Sequence, residues 1–218
     1  MSKRELTMPP LVIIQVDSAN AFLPLAKSSI LKVAIGRALS ATCKPEILIQ
    51  VAPALADQYQ KLDRKQKPEQ PVVFSDDLYQ VLRDYKDKYQ VVLVHEATRP
   101  LTPTSVFDQV CSEILAGADA ARPAHVVVDT LHRINNNRSL TGTIDRNTVQ
   151  ALTSPEGYWL ANTQLQPSLD GWSCSVHDVS NRKLVPGDLE SIKVRNPEDV
   201  VLVESFLEWE KLNPVKAI

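Results

Sequence analysis

Between Val91 and Pro100 four consecutive aliphatic residues give way to His95, Glu96 and Arg99, an imidazole, a carboxylate and a guanidinium within five residues. The apolar run reads as a strand buried on both faces, the kind used in parallel sheets. In an open α/β sheet, ligands bind just beyond the carboxyl ends of the strands, especially where the strand order reverses. A carboxylate there can hold a divalent metal, and an arginine can hold phosphate or organise the loop. The same residues also make a strand followed by an ordinary salt-bridged turn. On its own, the segment leaves both readings open.

Those groups need a scaffold, and strands and helices alternate through the first half to supply one. Leu11–Val16 and Pro45–Ala52 are apolar, β-branched runs. Between them Ile30, Leu31, Val33, Ala34, Ile35, Ala38 and Leu39 recur at helical spacing. Ala54–Lys65 reads as a solvated helix, Val72–Phe74 as a short strand, and Asp76–Tyr89 as a helix capped by Ser75. After the Val91–Val94 strand, Pro103–Gly117 carries Val106, Val110, Ile114 and Leu115 on one helical face. This order implies a mostly parallel sheet with right-handed crossovers. Later, Val126–Arg133 reads as a strand, Asn135–Arg138 as a turn and Ser139–Asp145 as a returning strand, a projecting hairpin of the kind that serves dimer contacts. Val185–Val194 reads as a turn and a strand. Asn196 then caps a last helix opened by Pro197, with Val200, Leu202, Val203, Phe206 and Leu207 facing the core.

At 218 residues, 44% hydrophobic and 23% charged, the chain has the composition of one globular α/β domain spanning residues 1–218. Its 24 basic and 26 acidic groups are interspersed, which gives no electrostatic reason to bind nucleic acid or membrane. The apolar segment Leu11–Ile14 is too short for a signal sequence or a membrane span, and Cys43, Cys111 and Cys174 lack metal-ligand spacing. A cytoplasmic protein with reduced thiols is expected.

Taken in order, five segments resemble the 2-C-methyl-D-erythritol 4-phosphate cytidylyltransferase family. Phe22-Leu23-Pro24-Leu25 is similar to its F-L-P-L, and Val94-His95-Glu96-Ala97-Thr98-Arg99-Pro100 to its V-H-D-A-A-R-P. Asp129-Thr130-Leu131-His132-Arg133 resembles D-T-x-K-R. Asp145-Arg146, with Ser154-Pro155-Glu156-Gly157-Tyr158, resembles its D-R and T-P-Q-x-F. The stretch from Val185 through Gly187, Asp188, Ile192, Lys193 and Val194 to Pro197-Glu198-Asp199-Val200 is similar to its V-x-G-D-x-x-N-I-K-V-T-x-P-E-D-L ending.

The resemblance implies a Rossmann-like nucleotidyltransferase fold with a β-arm at 129–147 that forms a homodimer. It also implies transfer of CMP from CTP to a sugar-alcohol phosphate in isoprenoid precursor synthesis, with Mg2+. It assigns Arg99 and Lys193 to catalysis and Glu96 to the metal. Thr130, Arg146, Ser154 and Lys193 fall to the acceptor, with Arg146 reaching it from the partner subunit's arm. The residues themselves leave alternatives: Glu96 pairing with Arg99 or Lys193, Lys193 in solvent, Arg146 in an inter-subunit salt bridge, and His95 packed at a strand end.

One part of the pattern is missing. The family's first strand enters a glycine-rich A-A-G-x-G-x-R-M loop that wraps phosphates with backbone N–H groups. This chain has no glycine before Gly36, and Gln15–Ala21 takes the loop's place, with Asn20 where the family has lysine. The family's G-G-x-x-R-x-x-S-V segment is not recognisable in Phe74–Val81. Two functions are therefore expected: a cytidylyltransferase of weakened activity, or a catalytically inactive paralogue that binds a phosphorylated ligand or a protein partner. Whether the chain is an enzyme stays open at the level of sequence.

Overall fold

The computed structural model describes residues 4–213. Its main elements run β1 (Leu11–Val16), α1 (Ile30–Leu39), β2 (Glu46–Val51), α2 (Ala56–Gln60), β3 (Val72–Phe74), α3 (Leu78–Tyr85), β4 (Val91–Glu96) and α4 (Thr104–Leu115). They continue with β5 (Ala120–Val126), β6 (Leu131–Ile134), β7 (Leu140–Ile144), β8 (Gln150–Leu152), β9 (Glu156–Trp159), β10 (Arg182–Pro186) and α5 (Glu198–Leu212).

The central sheet has the order β3-β2-β1-β4-β9-β5, with β10 on the far side of β5 and β8 continuing the line of β9 along β5. It is parallel except for β8 and β9. Alternate residues of β1 go to opposite faces. Val12, Ile14 and Val16 meet Leu31 and Ile35 of α1 and Phe107, Val110 and Ile114 of α4. Leu11 and Ile13 join Leu78, Val81 and Leu82 of α3 with Tyr158 on the other face. With both faces covered, β1 is apolar along nearly its whole length, as its sequence predicts. Among the described residues the hairpin of β6 and β7 pairs with no other strand, and Ile134 and Leu140 on it are exposed.

Several expectations change. The Ala54–Lys65 helix shrinks to α2, where Tyr59 is the one buried residue; Leu62 beyond it still packs against the core, but outside the helix. Asp77, not Ser75, caps α3, accepting from the Gln80 amide at 3.0 Å. Val126–Arg133 is not one strand: β5 ends at Val126 and β6 begins at Leu131. Residues 187–194 form no strand; the strand precedes them as β10. On α5, Val203 is buried as expected, but Leu202 is 50% exposed. Asn196 does cap this helix, accepting from the Asp199 amide at 3.0 Å.

A carboxylate cluster sits where α1 meets α5. Arg37 pairs with Glu210, and burial, followed by Glu210 and Asp188, pushes the Glu190 carboxyl up to about 7. The folded state therefore holds that proton more tightly than the unfolded chain, so this group favours folding increasingly as pH falls through 7 toward the ordinary glutamate range. Glu190→Gln should raise the melting temperature at pH 8 and leave it unchanged at pH 4, as read by calorimetry. A loss at pH 8 would show that Glu190 is instead favourably paired.

Candidate functional site

The chain leaves β1 toward β2 and β3, then returns to place β4 on the other side of β1, so the crossovers diverge between β1 and β4. Gln15 stands opposite Glu96 in that register, and the Ala97 amide donates to the Gln15 carbonyl at 2.9 Å. Glu96 is thus fixed at the switch point by the ladder itself.

Three residues expected to act together do meet there. Arg99 Nε donates to one carboxylate oxygen of Glu96, and Lys193 Nζ donates to the other at 2.7 Å. Arg99 also donates to the Ser191 carbonyl at 2.6 Å, and the Val194 amide to the Thr98 carbonyl at 2.8 Å. The 191–194 segment is thereby tied to the loop after β4. Burial alone would raise the Glu96 carboxyl, but the Lys193 hydrogen bond and the Arg99 charge outweigh it and hold the group below the usual carboxylate range. The cluster carries one more positive than negative charge and is partly open to solvent, with Lys193 the most exposed at 37%. It suits a phosphate.

Ser154 is 2% exposed, and its hydroxyl is engaged within the protein. It lies 2.9 Å from His95 Nδ1 and accepts from the Glu96 amide at 3.3 Å. In this arrangement it holds the end of β4. His95 is fully buried against Phe107, ring centroids 4.9 Å apart, and burial pushes its pKa down to about 4, so the ring is neutral at pH 7. Thr130 and Arg146 are exposed and make no hydrogen bond to the Glu96 cluster; Arg146 donates to the Val128 carbonyl at the root of the hairpin.

The segment after β1 forms a single 3-10 turn, Ala19–Phe22. The Asn20 amide donates to Ser18 Oγ, the Ala21 amide to the Ser18 carbonyl and the Leu23 amide to the Asn20 carbonyl. Those three donors are engaged within the turn and form no open cradle for an anion. Beyond it lies a small cavity of about 110 Å³ between the carboxyl ends of β1, β2 and β3. Gln15 Nε2 donates to Gln50 Oε1 at 3.2 Å, and Gln50 Nε2 to the Ser75 carbonyl at 3.1 Å; Asp17 and Asp76 stand at its edge. The two glutamines escaped the sequence reading. The signal available was a lone amide late in each of two apolar strands, which the register brings opposite each other.

Magnesium does not fit these residues as they stand. Glu96, expected as its ligand, has both oxygens bonded to cations, so an ion would have to displace Arg99 or Lys193 to reach it. Among the described residues no three His, Cys, Asp or Glu side chains form a metal cage. Thr98 and Ser191 bury hydroxyls without partners nearby, but neutral hydroxyls do not replace the missing carboxylates.

A mainly parallel sheet covered on both faces, with a cationic cluster at its switch point, defines an α/β scaffold of the nucleotidyltransferase type. Residues 13–209 match the family described as IspD: 2-C-methyl-D-erythritol 4-phosphate cytidylyltransferase, and the chain belongs to that family. Relatives of that name include one from Frankia casuarinae, 30% identical over 61% of this chain and 52% of its own length. Another, from Roseobacter denitrificans, is 34% identical over 58% of this chain and 59% of its own length. The chain thus spans between half and three-fifths of these relatives. In fold it is similar to a solved 4-diphosphocytidyl-2C-methyl-D-erythritol synthase from Anaerococcus prevotii, with a TM-score of 0.68 at 18% identity, covering 91% of this chain and 96% of that one. The corresponding cytidylyltransferase from Thermus thermophilus gives 0.66 at 19% identity, covering 90% and 98%.

Proposed function

We propose that this chain transfers CMP from CTP to 2-C-methyl-D-erythritol 4-phosphate at the β1–β4 switch point, with weakened turnover. The Glu96–Arg99–Lys193 cluster carries this reading, because it retains the cations that grip phosphate just beyond the strand ends. In the reaction an oxygen of the acceptor phosphate attacks the α-phosphorus of CTP in line. One P–O bond forms as the bond to pyrophosphate breaks. Lys193 and Arg99 neutralise the charge that builds up on the phosphoryl oxygens, while Glu96 keeps the two cations apart and oriented. No step is assigned to a divalent ion, since both oxygens of Glu96 are already held by cations.

The weakness follows from the 3-10 turn after β1, where the Asn20, Ala21 and Leu23 amides are already engaged. That same observation favours a second reading, an inactive paralogue that keeps only a phosphate-binding cluster. A homodimer belongs to either reading: the hairpin within the 129–147 arm bares Ile134 and Leu140, and Val126, Val128 and Leu184 near its root are also exposed. Thr130 and Arg146 of that arm would reach the acceptor, and the location is cytoplasmic. No helix among the described residues is long and apolar enough to cross a membrane.

Thermal shift and pyrophosphate release with CTP, Mg2+ and the acceptor test the proposal. The acceptor should raise the melting point, CTP should do so only at high concentration, and pyrophosphate should appear slowly. Turnover in the ordinary enzyme range of about 1 to 10³ per second would remove the weakening. Stabilisation by the acceptor with no pyrophosphate would select the inactive paralogue.

A further inference from the structure

His95 is fully buried near the end of β4 and cannot touch a substrate, yet both of its ring nitrogens are bonded toward the loop that carries Glu96 and Arg99. Nε2 lies 3.2 Å from the Arg99 carbonyl. A carbonyl only accepts, so Nε2 carries the hydrogen. Burial keeps the ring neutral with a single N–H, which leaves Nδ1 bare. The Ser154 hydroxyl, 2.9 Å away, donates to Nδ1, while its oxygen accepts from the Glu96 amide at 3.3 Å. The hydrogens therefore run one way, from the Glu96 amide through Ser154 and His95 to the Arg99 carbonyl. That chain closes over a tight turn, in which the Arg99 amide donates to the Glu96 carbonyl at 3.0 Å. His95 grips the backbone at both ends of it. Phe107 packs edge-on against the ring, and Thr102 shares the Arg99 carbonyl at 3.2 Å without a bond to Glu96. A leucine could occupy the same apolar surroundings; imidazole adds an acceptor and a donor on one rigid ring.

We propose that His95 is a positioning residue: through Ser154 on one side and the Arg99 carbonyl on the other, it fixes the Glu96 carboxylate and the Arg99 guanidinium in the placement that receives a phosphoryl group. This rests on the reading of the Glu96–Arg99–Lys193 cluster as the phosphate grip. The Arg99 side chain is bonded to Glu96 and to the Ser191 carbonyl, so a shift of either end of the turn moves the guanidinium with it. A misplacement of about 1 Å in such a group is enough to cost about 10²-fold in rate. Lys193 stands on a separate segment and is the more exposed cation. Acceptor binding should therefore survive a loosened turn, while turnover should not.

Nuclear magnetic resonance of the full chain, with ¹⁵N-labelled histidine and arginine, reads this at pH 7 alongside kinetics. His95 should show a protonated Nε2 and a bare Nδ1. The Arg99 Nε–H should stand apart from those of exposed arginines, because it donates to a carboxylate. In His95→Leu that signal should move toward the free guanidinium position. There kcat should fall by about 10²-fold, and the KM for the acceptor should change by less than about three-fold. His95→Gln, which keeps a donor for the Arg99 carbonyl, should recover about ten-fold of the loss. Ser154→Ala removes only the Glu96 half of the chain and should cost about ten-fold in kcat, which keeps a readable variant should His95→Leu fold poorly. An Nδ1–H ring, an Arg99 signal unmoved in a folded variant, a loss confined to KM, or no recovery in His95→Gln would overturn the proposal. The Arg99 signal needs no turnover: if the parent releases no pyrophosphate, its displacement in His95→Leu still upholds the positioning, and only the transfer reading falls.

Discussion

Lys193→Ala should cut cytidylyl transfer by about 10²- to 10³-fold while moving the melting temperature by only a degree or two. The asymmetry comes from how the two cations of the cluster are held. Arg99 is 15% exposed and bound at both ends of its guanidinium, to Glu96 and to the Ser191 carbonyl, so it adds its charge to the site from a fixed position and also ties down the loop. Lys193 is 37% exposed and makes a single contact, to Glu96, which leaves its ammonium free to swing onto an incoming phosphate. An ion pair that open is worth at most about 1 kcal/mol to stability, and Glu96 keeps Arg99 when Lys193 is gone. Stabilisation by the acceptor phosphate should vanish in the same variant. Glu96→Gln should behave differently, loosening both cations without removing either, so that acceptor binding survives while turnover falls. A Lys193→Ala protein that binds the acceptor and turns over like the parent would show that the lysine is only a salt-bridge partner.

The cluster was visible in the sequence because its members lie in short motifs at the ends of recognisable elements. β1, β2 and β4 announce themselves as apolar runs because both faces of each are covered. β5 does not. Ala120-Ala-Arg-Pro-Ala-His-Val has little β-branched content, yet it pairs with β9 and β10 on its two sides and packs against α4, a crowded position that selects alanine. β9 is hidden for a related reason: a Cβ at Gly157 would lie 2.4 Å from Val110 Cγ1, so the middle of this strand has to be glycine. Because the wedging of β9 between β4 and β5 could not be read, neither could its consequence. Ser154, just before it, is delivered to His95 and the Glu96 amide and used up inside the protein. The Gln15–Gln50 pair was invisible for the same reason, since only strand register brings two lone amides together. Local pattern reveals elements and motifs; contacts that depend on which strand lies beside which do not appear in it.

Arg122→Met should cost about 3–5 kcal/mol, or roughly 10 °C in melting temperature, the largest stability loss expected of any polar substitution here. Arg122 pairs with Glu156 at 2.6 Å with both side chains nearly buried, at 13% and 7% exposure. It also donates to the Thr153 carbonyl at 2.6 Å and the Gly171 carbonyl at 2.7 Å, and its guanidinium lies 6.0 Å from the Trp172 ring. Without it, Glu156 keeps the Ser173 amide, at 2.7 Å, and the Tyr158 hydroxyl, but has no countercharge. The penalty is that of a stranded buried carboxylate rather than of a lost contact, so it should respond to removal of the charge. Adding Glu156→Gln keeps an acceptor for Ser173 and Tyr158 while deleting the charge, and should restore about 2 kcal/mol in a double-mutant cycle. Denaturant unfolding of the four proteins measures that coupling. Because Thr153 precedes Ser154, the single variant should also loosen the support of Glu96 and raise the acceptor concentration needed for stabilisation. Additive losses would place the role of Arg122 in its carbonyl bonds and the Trp172 stack instead.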